Sequence, residues 1–142
     1  MKKSKEQIVA DALHNFEDKF SCSQSVVMAF AEEFGFEKKQ VAAVAAGFGS
    51  GLGDTHSVCG AFSGAAMSLG LHLAGNEPDG KGVKPPIYAK VRELKANFKS
   101  EIGSEICGDI IKAAAGTGVP KRERCAHCVG VAAALCYDAL EE

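Results

Sequence analysis

Nowhere in this chain of 142 residues do apolar and polar residues alternate over the several consecutive positions that a half-buried β-strand requires. Apolar residues recur instead at helical spacing, in stretches separated by glycine and proline. The chain therefore reads as all-α: a single domain over residues 1–142, a helical bundle of six or seven helices, with a glycine-rich loop before the fourth.

The punctuation sets the expected elements. A first helix runs from about Ser4, a good cap, to Asp18, with Ile8, Ala12, Leu13 and Phe16 on one face. A second starts at Ser21 or Cys22 and ends at Gly35, a residue suited to the left-handed turn that closes helices. A third covers about Glu37 to Ala46 and stops at Gly47-Phe48-Gly49-Ser50-Gly51-Leu52-Gly53, which turns the chain tightly into a fourth helix. That helix begins after Asp54, Thr55 or Ser57 and reaches Ala74. Gly75 to Gly82, with Pro85-Pro86 beyond, reads as an exposed loop open to proteolysis or insertion. A fifth helix spans about Pro86 to Ser100, turning Ile87, Val91, Leu94 and Phe98 inward. Gly103 to Ala115 makes a sixth, which places Cys107 mid-helix. The last runs from Arg122 to Leu140 after the break Gly116-Thr117-Gly118-Val119-Pro120.

Several function classes fall away on bulk properties. With 46% apolar and 24% charged residues the chain is globular, and it is long enough to bury a core without covalent staples. A net charge of -2 lacks the basic excess of a nucleic-acid binder. Thr55 to Asn76 carries no charge, yet His56, His72 and its glycines and serines make it a buried helix and not a membrane-embedded one. The basic start Met1-Lys2-Lys3 leads into no apolar segment, so no secretory signal is expected and the compartment is taken as cytoplasmic. There, cysteines rest as thiols, metal ligands or transient catalytic disulfides.

Six cysteines must then be explained. Cys22, Cys59, Cys107 and Cys125 are widely spaced, and convergence on one site explains them better than random core filling. Cys22, Cys59 and Cys125 fall in or near first helical turns, where unpaired amides and the helix dipole favour a thiolate. Lys121, Arg122 and Arg124 add positive charge beside Cys125. Cys59 opens Cys59-Gly60-Ala61-Phe62-Ser63-Gly64, in which Gly60 and Gly64 share a helix face and give room for a crossing helix or a cofactor. Each costs about 1 kcal/mol relative to alanine, so the space has a use.

This pattern resembles the bacterial family of redox-active proteins called C_GCAxxG_C_C after its cysteines and glycine motif. The resemblance runs from about Cys22 into the last helix and implies that Cys22, Cys59, Cys107 and Cys125 form a redox centre. The chain departs from the pattern in having Cys128 and Cys136 as well. Cys136, between Leu135 and Tyr137, reads as core filling. Cys125-Ala126-His127-Cys128 is a CxxC, a spacing used by redox dithiols and by metal clips, which makes Cys128 an additional candidate ligand.

Three chemistries fit such a centre. Four thiolates can hold an iron–sulfur cluster for electron transfer or sensing, with Gly60 and Gly64 beside the cofactor, and this reading uses all four. Alternatively the same cysteines are catalytic as thiol/disulfide pairs with no cofactor, or they bind zinc in a non-catalytic module. The first two imply a redox partner, whose identity the sequence leaves open. Val129 after Cys128 excludes c-type haem attachment, and no Gly-Lys-Ser/Thr follows the glycine cluster to make a phosphate loop. His56 and His127 lie near cysteines but read first as surface or capping residues, and His14 and His72 as structural.

Overall fold

A computed structural model describes residues 1–75 and 82–142. The loop expected between Gly75 and Gly82 therefore lies largely outside the described residues. Among the described residues, seven helices make up the fold: α1 (Lys5–Glu17), α2 (Cys22–Ala31), α3 (Lys38–Ala45), α4 (Gly60–Ala74), α5 (Lys84–Ile102), α6 (Cys107–Ala115) and α7 (Lys121–Glu141). No strand occurs among the described residues, and the all-α bundle is as expected.

Local chemistry accounts for the helix ends. Ser4 and Ser21 each close a capping box: the Gln7 amide donates to Ser4 Oγ at 3.2 Å, and Gln7 Oε1 accepts from the Ser4 amide at 2.8 Å. Gln24 and Ser21 repeat the exchange at 3.4 and 3.0 Å, which fixes Cys22 as the first residue of α2. A 3-10 turn, Glu32–Phe34, extends α2 to Gly35, which takes the left-handed conformation at φ 80°.

Helix α2 is the centre of the bundle, packed against α1, α3 and α4, while α7 lies across α1, α4 and α5. The main core joins Ile8, Phe30, Phe62, Leu69, Leu94, Phe98 and Val129, all buried. Close approach of α2 and α4 depends on small residues. A Cβ built on Gly64 would lie 2.5 Å from the Ser23 carbonyl oxygen and 3.0 Å from Val26 Cβ. Ser23 itself is fully buried and donates to the Ala45 carbonyl at 2.9 Å, tying α3 to the same crossing.

Two elements depart from the sequence expectation. The fourth helix starts at Gly60 with Cys59 as its N-cap, later than the polar caps at Asp54 to Ser57 had indicated. The sixth starts at Cys107 and not at Gly103, because Gly103, at φ 102°, closes α5 by donating its amide to the Lys99 carbonyl at 2.8 Å. Ile106 is extended and pairs with Val58 in an isolated antiparallel bridge. Among the described residues, no helix is long and apolar enough to cross a membrane.

Candidate functional site

The bridge between Val58 and Ile106 sets two helix starts side by side. The Cys59 amide donates to the Glu105 carbonyl at 2.8 Å, the Cys107 amide to the Ser57 carbonyl at 2.6 Å, and the Gly108 amide to the His56 carbonyl at 3.0 Å. Cys59 and Cys107 thus enter α4 and α6 from neighbouring positions. Cys22 stands at the start of α2, and Cys125 and Cys128 share a face of α7 at a three-residue spacing. All five line one small cavity of ≈ 40 Å³, together with Ser50, Gly51, Gly60, Ile110, Ile111 and Lys121.

The turn that brings Ser50 and Gly51 to the cavity is strained. Ser50, Gly51, Leu52, Gly53 and Asp54 all have positive φ, a single left-handed turn in which three residues carry a Cβ. Each such residue costs roughly 1–2 kcal/mol relative to the right-handed form. Gly51 is there for space as well as for φ: a Cβ on it would lie 2.6 Å from the Ser57 amide nitrogen and 2.7 Å from Cys107 Cβ. The turn is held by the Ser57 amide on the Gly51 carbonyl at 2.8 Å and by Thr55 Oγ1 on the Gly51 and Leu52 carbonyls, both at 2.8 Å. Strain retained in this way is characteristic of functional sites.

The thiols interact in two pairs, and the pairs cross between helices. The largest mutual effects are between Cys22 and Cys125 and between Cys59 and Cys128, with weaker charge effects among the other cavity thiols, Cys125 on Cys128 included. Interaction with Cys22 lowers the Cys125 thiol to about 7, helped by Lys121 and Arg122 against the effect of burial. Cys22 is correspondingly raised, by Cys125 first and burial second. Cys59 is lowered, chiefly by Cys128 and further by the Ala61 and Phe62 amides that face its sulfur, while Cys128 is raised by Cys59 and by burial. The two amides act on Cys59 as dipoles of the first turn, without forming a side-chain cap of ordinary hydrogen-bond geometry. Cys107 is raised by burial and by the charges of Cys59 and Cys125.

The structure thus brings Cys22, Cys59, Cys107, Cys125 and Cys128 together and leaves Cys136 apart. Cys136 is fully buried, and its thiol donates to the Ala65 carbonyl at 3.5 Å. Gly60 lines the cavity; Gly64 instead faces Ser23 and Val26 of α2 and serves the helix crossing. Cys107, expected mid-helix, instead opens α6, while Cys125 lies near the start of α7, as expected. His56 is exposed, with Nε2 3.5 Å from Asp54 Oδ1, and His127 is exposed on α7. His72 packs its ring on Phe34 at 4.8 Å. The charge beside Cys125 divides by role. Lys121 reaches the cavity, Arg122 lies 4.5 Å over the Phe16 ring and donates to the Phe16 carbonyl, and Arg124 donates to the Ile102 carbonyl. Ile110 and Ile111 close the cavity and were not singled out from the sequence, although their spacing from Cys107 along one helix is the signal that finds them.

A helical bundle that delivers five thiols to one cavity, with the Lys121 cation on its wall, defines an all-α protein with a cysteine-based centre. The family model described as Putative redox-active protein (C_GCAxxG_C_C) matches residues 20–139, and the chain belongs to that family. No curated protein and no solved structure matches it.

Proposed function

We propose that the cavity is a one-electron redox centre in which Cys22, Cys59, Cys107 and Cys125 hold an iron–sulfur cluster, used for electron transfer or sensing with a redox partner. The observation that carries this reading is the delivery of thiols from four separate helices to one cavity. A dithiol enzyme needs two sulfurs, and this wall has five.

The donor set and its surroundings suit a sulfur-ligated anion. Every side-chain donor on the wall except Ser50 and Lys121 is a thiol. The starts of α2, α4 and α6 and the Lys121 ammonium favour the negative charge of thiolates there. Gly51 and Gly60 form a cradle that a side chain would fill: a Cβ on Gly60 would meet Cys22 Cβ at 3.3 Å and the Phe48 carbonyl at 3.2 Å. Among the described residues, no group of three or more His, Cys, Asp or Glu is arranged to hold a single metal ion. When bound, such a cluster supplies a one-electron couple, tuned by burial and by hydrogen bonds to its sulfurs. Ile110 and Ile111 limit water at the site, and the Ala61 and Phe62 amides lower the electron density on the Cys59 sulfur. The thiolates this reading needs fit a reducing compartment such as the cytoplasm.

A second reading is favoured by one specific observation, the half-buried Cys22–Cys125 pair with the Cys125 thiol at about 7. In it the Cys125 thiolate attacks a substrate disulfide, one substrate thiol leaves, and Cys22 attacks the mixed disulfide to release the other. Anaerobic purification followed by an absorption spectrum and metal analysis separates the two. Brown protein carrying iron and acid-labile sulfide is the expected result. Colourless, metal-free protein whose Cys22 and Cys125 oxidise together would support the second reading, and stoichiometric zinc would contradict both.

A further inference from the structure

We propose that Thr55 is a positioning residue of the centre: its hydroxyl latches the Ser50–Asp54 turn over the thiol cavity, and this turn is the door through which small reagents reach the thiols. Cys59, Cys107 and Cys128 are buried, so ions or reagents meet them only when a wall gives way. Helices α2, α4, α6 and α7 supply the other walls and join the apolar core through Val26, Phe62, Ile110 and Val129. The turn lacks such an anchor, because Leu52, its one large apolar side chain, is 50% exposed. Gly51 is buried while Ser50 and Leu52 on either side of it are exposed, so the turn forms a thin cover between the cavity and solvent. Gly51 packs directly on Cys107, since a Cβ built on it would lie 2.7 Å from Cys107 Cβ.

The cover is tied to the residues that follow it. The His56 amide donates to the Ser50 carbonyl at 3.2 Å, and the Ser57 amide to the Gly51 carbonyl at 2.8 Å. Thr55 Oγ1 lies 2.8 Å from both the Gly51 and the Leu52 carbonyl oxygens, so one hydroxyl hydrogen serves two acceptors, with Ser57 Oγ 3.1 Å away. The side-chain part of the latch therefore falls on the wall residue Gly51 and on its neighbour. Against these bonds stands the left-handed backbone of Ser50, Leu52 and Asp54, each of which carries a Cβ that disfavours it. A closed state held by a few bonds against local strain opens locally, ahead of the bundle. On the cluster reading, on which this consequence rests, the opening is the route by which iron and sulfide enter. The latch itself does not depend on that reading.

The test uses the full chain, reduced and free of metal, alkylated with iodoacetamide under native conditions and mapped residue by residue. Thr55→Val keeps the branched shape and removes the hydroxyl. It should speed Cys107 alkylation about fivefold, the shift in an opening equilibrium expected from one lost hydrogen bond. Thr55→Ser keeps the hydroxyl and should react at the rate of the unsubstituted chain. Cys136 should stay unlabelled in all three, as the monitor of global unfolding. An unchanged Cys107 rate in Thr55→Val, a rise shared with Cys136, or Thr55→Ser behaving as Thr55→Val would overturn the proposal. Hydrogen exchange checks it without any variant. The Ser57 amide, bonded into the turn, should exchange before the Cys59 amide, bonded to the Glu105 carbonyl, and equal protection of the two would overturn the proposal. Thr55→Val should also take up iron and sulfide faster than the unsubstituted chain, and equal rates would show that the turn is not their route. Failure of every chain to take them up would remove the cluster reading and its loading route, while Cys107 alkylation still decides the latch.

Discussion

Cys128 and Cys136 lie on one helix and are equally hidden, at 1% and 0% exposure, yet they are chemically unlike. Cys128 faces thiols: Cys59 directly, and Cys125 within the same cavity wall. Cys136 faces the Ala65 carbonyl and apolar side chains, and burial alone raises its thiol. Burial therefore does not distinguish a functional cysteine from a packing one in this bundle. What distinguishes them is whether neighbouring helices begin at that level. At the Cys128 end, the starts of α2, α4 and α6 supply amides and thiols; Cys136 lies instead against Ala65, within the course of α4.

The strongest way to break this contrast is substitution at the two ends. Cys59→Ser should abolish iron and sulfide binding, while Cys136→Ala should retain it and cost only about 1 kcal/mol or so, as a small buried truncation does. Metal analysis and urea denaturation read the two effects. Equal losses from both substitutions would remove the distinction.

The next effect concerns the strained wall. Gly51→Ala places a methyl 2.6 Å from the Ser57 amide in a left-handed residue. Strain of roughly 1–2 kcal/mol should add to overpacking of about 1–3 kcal/mol. Gly64→Ala meets the Ser23 carbonyl at 2.5 Å but sits in an ordinary helix, so about 1 kcal/mol of improved propensity offsets part of a similar clash. Denaturant midpoints should therefore fall in the order unsubstituted chain, Gly64→Ala, Gly51→Ala. A Gly64→Ala protein that melts higher than its parent would show that the α2–α4 crossing is not as close as described.

The smallest effect is one of pH. In metal-free protein the Cys125 thiol, lowered to about 7, should alkylate faster as pH rises through neutrality and level off above it, because the thiolate is the nucleophile. Cys136, raised by burial, should stay unlabelled throughout in the folded chain. A Cys125 labelling rate still climbing well above neutrality would mean that Cys22 and Lys121 do not stabilise its thiolate.

Much of the fold was legible because its signals are local. The Ser4 cap, the Gly35 stop and the spacing of Leu94 and Phe98 each act within a turn or two, and the helices they mark lie close to where the sequence put them. The start of α6 was not legible, because it depends on Ile106 pairing with Val58, a contact between distant parts of the chain. Gly103 serves equally well in sequence as a beginning or an end, and its left-handed φ makes it an end. The same limit applies at the site. Helix starts and glycine spacing pointed to Cys22, Cys59 and Cys125, whereas Cys107, read as mid-helix, joined them only through the cysteine pattern of the family the chain resembles. The pairing of Cys128 with Cys59 could not be anticipated, since a CxxC in sequence shows only the neighbour within the motif, and the partner is supplied by α4.

The central claim is that thiols from four helices act as one centre, and concerted protection tests it most directly. Reconstituted protein and chelator-stripped, reduced protein are alkylated under native conditions and mapped residue by residue. The account predicts that Cys22, Cys59, Cys107 and Cys125 are all protected in the loaded protein, and that on stripping each gains reactivity at its own rate, Cys125 fastest, with Cys136 unlabelled in both. A loaded protein in which any of the four is alkylated as fast as in the stripped form would contradict it.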